Sequence, residues 1–116
     1  MEKIIIKISI LLLFAAITGC ATMIDKNLKP KIDEYESKTY VLLNEEAVIG
    51  QPFAKGTKIK LVIISGADWV KVYAYNSSED LLNAKRSLIL YLFKEDFPAK
   101  KFDLKVLEKR LFEKVK

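Results

Sequence analysis

The 116-residue chain has no histidine and only one cysteine. The first absence removes the usual neutral-pH general base and the commonest metal ligand, and the second rules out an internal disulfide. A histidine-based triad or a Cys/His metal centre therefore has no residues to be built from. Long apolar runs are missing too. Spanning the hydrocarbon core takes roughly 20 apolar residues, whereas the run from Ile4 to Ile17 has fourteen positions with Lys7 inside it. Glu45 with Glu46, Glu79 with Asp80 and Glu95 with Asp96 are adjacent acid pairs in polar stretches. Neighbouring loop carboxylates read as solvated surface and not as the spaced acid and base of a glycosidase. The chain is expected not to be an enzyme, to hold no metal and to need no dissociable cofactor.

What is present begins with a leader. Glu2, Lys3 and Lys7 give a polar, basic start, and Ile8 to Ile17 follow as ten residues interrupted only by Ser9. This is the profile of an export signal. It ends in Ile17-Thr18-Gly19-Cys20, an aliphatic residue, two small ones and a cysteine, which resembles the lipobox of bacterial lipoproteins. The resemblance implies cleavage after Gly19, a diacylglyceryl group on the Cys20 thiol and, in many species, an N-acyl chain on its new amine. Each buried methylene contributes about 0.8 kcal/mol, so two or three acyl chains replace a membrane-spanning helix as the anchor. Ala21, in place of an aspartate, implies by the same resemblance delivery to the outer membrane, facing the periplasm, in a host with two membranes. Residues 1–19 are thus read as signal peptide and residues 20–38 as a lipidated tether.

Loss of Glu2, Lys3 and Lys7 leaves 18 basic and 14 acidic residues, a net charge of +4. That mild excess suits anionic headgroups or an acidic partner. Lys55, Lys58, Lys60 and Lys71 gather near one predicted hairpin, and Lys100, Lys101, Lys105, Lys109 and Lys114 near the C-terminus, interleaved with Asp103, Glu108 and Glu113. Such mixing reads mainly as a solvated surface. No recognition helix or stacking motif points to nucleic acid.

The tether is charge-rich, with Pro30 expected to interrupt any continuous helix, although Ile32 and Tyr35 are placed to dock on the domain. Residues 39–116 read as one mainly β domain with a C-terminal helix, an α+β arrangement built on a small antiparallel barrel or curled sheet. Short strands are expected at 39–43 and 47–49. Gly56 suits a turn with positive φ, leading into a strand at 58–64. Ser65 to Asp68 then turn the chain into a second long strand at 69–75. Alternation places Ile59, Leu61 and Ile63 with Val70, Val72 and Ala74 on a core face. A polar connection from Asn76 to Arg86 invites a helical turn at Ser77 or Ser78. Ser87 to Phe93 is apolar on both faces and reads as a central strand. Asp103 is placed to cap a helix over 103–115, whose Leu104, Leu107, Leu111 and Val115 form one stripe with Phe112 beside it.

The face opposite the core carries Val62, Ile64, Trp69, Lys71, Tyr73 and Tyr75, too apolar a set to stand wholly in water. The C-terminal stripe is the expected cover. If left open, Trp69, Lys71, Tyr73, Tyr75 and Tyr91 would form a partner-binding surface of the aromatic kind.

Pro52 to Leu61 followed by Asp68-Trp69-Val70-Lys71-Val72 resembles bacterial SH3-like modules, with their Lys-Gly-Thr entry and Trp-x-Lys-Val strand. Together with Leu90 to Pro98, the domain is also similar to small lipoproteins associated with type II secretion systems. These resemblances imply a non-enzymatic adaptor of the cell envelope that docks a protein partner in a secretion or similar assembly machine. The alternative they leave open is a peptidoglycan-binding, cell-wall module.

Overall fold

The computed structural model describes residues 22–44, 49–50 and 52–116. Residues 1–21, with Ile17, Thr18, Gly19 and Cys20, lie outside the described residues, as do Glu45 and Glu46.

The fold is mainly β within an α+β arrangement. A five-stranded antiparallel sheet contains β1 (Tyr40–Val41), β2 (Ile49–Gly50), β3 (Lys58–Ser65), β4 (Trp69–Asn76) and β5 (Arg86–Phe93), in the order β1-β3-β4-β5-β2. The short strands form the two edges, so the sheet is open and not closed into a barrel among the described residues. The helices are α1 (Lys29–Ser37) and α2 (Leu104–Leu111).

The central hairpin follows from alternation in both of its strands. Leu61 faces Ala74, Ile63 faces Val72 and Ser65 faces Val70, so one side collects apolar residues that β1 and β5 extend with Tyr40, Leu90 and Leu92. Before the hairpin, Gly56 takes φ 88 and donates its N–H to the Leu42 carbonyl. The connection from β4 to β5 contains no helix; it closes by turns, with Asn76 Oδ1 accepting the Ser78 N–H at 3.0 Å.

Between Val72 and Tyr73 the β4–β5 register shifts. Val72 faces Leu90 and Tyr73 faces Leu88, which leaves Ile89 as the extra residue of a β-bulge. The bulge switches the inward alternation of β5, so Ile89 joins Leu90 in the main core while Leu88 pairs across to the other face. This explains why the strand is apolar on both sides.

Residues 22–38 differ from a free tether. After a single 3-10 turn (Lys26–Leu28) opened by Asp25, they form α1, and Ile32 and Tyr35 are buried in the core. Pro30 does not interrupt this helix. It occupies the first turn, where a missing N–H breaks no intrahelical bond.

The C-terminal helix is shorter than the 103–115 span. Asp103 caps it, with Oδ1 accepting the Lys105 N–H at 2.8 Å, but regular helix ends at Leu111. Extended pairing then competes successfully: Val115 bridges Leu42, and Lys116 exchanges two backbone hydrogen bonds with Val41. Leu107, Leu111 and Val115 remain on one buried stripe, while Phe112 stays exposed.

That stripe does not cover the aromatic face. Leu107 and Leu111 pack with Ile59, Leu61, Val70 and Val72, which places α2 on the same side of the sheet as α1. Both helices bury their apolar residues against this mainly aliphatic face. Among the described residues, neither helix lies over the opposite face.

Candidate docking face

Strands β3, β4 and β5 build the open face, and Lys71 sits at its centre. In the sheet, Lys71 lies between Ile64 on β3 and Tyr91 on β5, and Trp69 lies opposite Phe93. The side chains pack as one cluster. Tyr91 and Phe93 stack with ring centroids 4.5 Å apart, and Trp69 meets Tyr91 edge-on at 6.4 Å. The Lys71 ammonium is 4.8 Å from the Trp69 ring centroid and 4.9 Å from that of Tyr91. Two aromatic faces so close to one cation hold it by cation–π attraction, which contributes about 0.5–1 kcal/mol at each exposed ring.

The cluster is accessible. Phe93 is 48% exposed, Ile64 39% and Tyr91 36%, while Trp69, Lys71 and Tyr73 are half-buried. Tyr75 does not belong to it. It is 8% exposed, and Leu88 is 2% exposed, although neither contributes to the main core. The far end of the face is therefore closed around Tyr75 and Leu88, and its open part is the end next to the β3–β4 turn.

That turn positions the tryptophan. A side-chain carbon on Gly66 would collide with the five-membered side and the benzo ring of the Trp69 indole, so only glycine lets the indole fold back over the turn. The Gly66 N–H donates to the Trp69 carbonyl at 2.9 Å, and the Gly66 carbonyl accepts the Met23 N–H at 2.8 Å. The amino-terminal end of the described chain is thus fixed beside the exposed aromatic cluster.

Of the five residues singled out in the sequence, Trp69, Lys71, Tyr73 and Tyr91 come together on this face and Tyr75 is sequestered. Phe93 was not singled out, and Ile64, which alternation places on this face, is not among the five. The signal for them was the same alternation that selected Tyr91, since Phe93 follows it by two positions and Ile64 is the outward residue of β3 nearest the turn.

The remaining acid pairs add no side chain to the ring cluster. Glu79, Asp80, Glu95 and Asp96 are exposed, and Asp96 Oδ2 is engaged in accepting the Phe93 N–H at 2.8 Å. No group of three or more His, Cys, Asp or Glu residues is arranged to hold a metal ion among the described residues, and no helix there is long and apolar enough to cross a membrane. Comparison with family models, with curated proteins and with solved structures finds no match for this chain in any of the three.

Proposed function

We propose that the protein is a lipid-anchored, non-enzymatic adaptor of the cell envelope, tethered through Cys20 and docking a protein partner of a secretion or similar assembly machine on its aromatic sheet face. The anchor rests on Ile17-Thr18-Gly19-Cys20 behind a basic, apolar leader. The observation that carries the docking role is the uncovered Trp69–Lys71–Tyr91–Phe93 cluster. Aromatic rings offer large contact area at small conformational cost and are enriched at interface centres. Confinement to a surface raises the effective concentration of anything held on that same surface, so modest affinity is sufficient.

The test is site-specific photocrosslinking in cells from a reactive residue replacing Phe93, with the same residue replacing Leu82 as an exposed position away from the face. Discrete envelope-protein adducts from position 93 alone support the adaptor. Retention on purified sacculi, with no protein adduct, would move the assignment to a cell-wall-binding module. For the anchor, Cys20→Ser is expected to leave an unprocessed precursor that incorporates no labelled fatty acid.

A further inference from the structure

Beside the turn that holds Met23 is a second feature, a hollow of about 340 Å³ lined by Met23, Asp25, Lys94, Lys100, Lys101 and Phe102 among others. Three lysines and one aspartate are among the lining residues. The Asp25 carboxylate is already engaged, with Oδ1 accepting the Asn27 N–H at 3.0 Å. None of the three lysines takes part in an ion pair among the described residues. Ala99 and Lys100 adopt left-handed backbone at φ 55 and 56, an uncommon conformation away from glycine, and the resulting bend brings consecutive lysines to one rim. Of the other acids close by in sequence, Asp68 and Glu95 are exposed, Asp96 and Asp103 accept the N–H groups of Phe93 and Lys105, and none of the four lines the hollow.

We infer that this hollow binds the phosphate of an anionic glycerophospholipid headgroup and so fixes how the domain stands on the membrane. The inference rests on the reading of Cys20 as the anchor. Met23 is the third residue after Cys20, and three residues of extended chain span at most about 11 Å. Acyl chains rooted at Cys20 therefore hold the hollow within reach of the headgroup layer. Each lysine near an anionic leaflet is attracted by about 1 kcal/mol, roughly fivefold in occupancy, over a distance set by the Debye length. In this pose the strands rise away from the bilayer, and the aromatic face stands beside it, open to a partner held in the same membrane.

The test uses residues 20–116, whose described part folds around one core. With a single thiol in the chain, a maleimide-headgroup phospholipid in vesicles attaches at Cys20 alone, so the anchor is supplied chemically whether or not cells lipidate it. Lysine reactivity toward a water-soluble acylating reagent is then mapped by mass spectrometry. On vesicles containing phosphatidylglycerol, Lys94, Lys100 and Lys101 are expected to react about fivefold more slowly than on pure phosphatidylcholine. Lys55 and Lys58, at the opposite end of β3, should not change, and high salt should erase the difference. Equal reactivity on both vesicles, or equal protection at Lys55 and Lys58, overturns the inference. So does the same protection on phosphatidylcholine with inorganic phosphate added, which would make the ligand a free anion. An intact mass of the natural protein with an unmodified Cys20 would instead remove the anchor reading and leave the vesicle result standing.

Discussion

Tyr35 of α1 donates its hydroxyl hydrogen to Glu108 Oε1 of α2, joining the first helix to the last across 73 residues of sequence. Burial first, and then this bond, raise the Tyr35 phenol well above its ordinary value of 10.0. A phenol raised in the folded state stabilises the fold while pH is below the unfolded value, and that stabilisation is lost as pH climbs toward the folded one. The melting temperature is therefore expected to hold through neutral pH and fall above about pH 10. Tyr35→Phe should cost about 1–2 kcal/mol at pH 7 and make the alkaline fall shallower, both read from thermal melts across pH.

Tyr40 should behave in the opposite way to truncation. Its hydroxyl is buried with no hydrogen-bond partner among the described residues, as is that of Ser87, while its ring packs 6.3 Å from that of Phe112. Tyr40→Phe and Ser87→Ala each remove an unpaired polar group and keep the packing. Urea denaturation should show each variant as stable as the parent or up to about 1 kcal/mol more stable.

Gly66→Ala tests how the aromatic cluster is held. The added methyl occupies space filled by the indole, so Trp69 must swing outward at a cost of about 1–3 kcal/mol. Trp69 is the chain's single tryptophan. Its emission should shift to longer wavelength and become easier to quench, and crosslinking from position 93 should weaken. Unchanged emission would mean that the turn does not set the indole's position.

Glu36 closes an edge. β1 pairs with β3 only at Ile59 and Lys58, and farther along, the Ile63 N–H is taken by Glu36 Oε2 of α1 at 2.9 Å. A carboxylate on an unpaired edge both satisfies the donor and repels a second strand. Glu36→Ala should cost about 1–2 kcal/mol and increase self-association in sedimentation velocity, whereas Glu34→Ala, on the exposed side of the same helix, should do neither.

Alternation over 58–64 and 69–75 was enough to locate the hairpin, its inward residues and the aromatic set behind them, because Ile, Leu, Val or Ala occupies every second position of both strands. The same rule could not say which face α2 covers. An amphipathic stripe reports that a helix must bury one side, and here both faces of β4 were apolar enough to receive it. The bulge at Ile89 was equally silent, since a strand apolar at every position reads the same before and after a one-residue slip. In α1, Lys and Glu dominate, and only Ile32 and Tyr35, three apart, mark the buried side. The cap at Asp103 and the positive φ at Gly56 were visible because each depends on one residue type at one position.

The bond from Met23 to Gly66 also determines how the molecule responds to force. Were the chain held through Cys20, a pull along it would enter the domain at the closed end of its central hairpin. The attachments of Met23 to Gly66 and Ser65 break first, and α1 then peels from β3 one contact at a time. Until those attachments break, tension runs through the turn that seats Trp69, so a load on the chain reaches the aromatic face before it reaches α1.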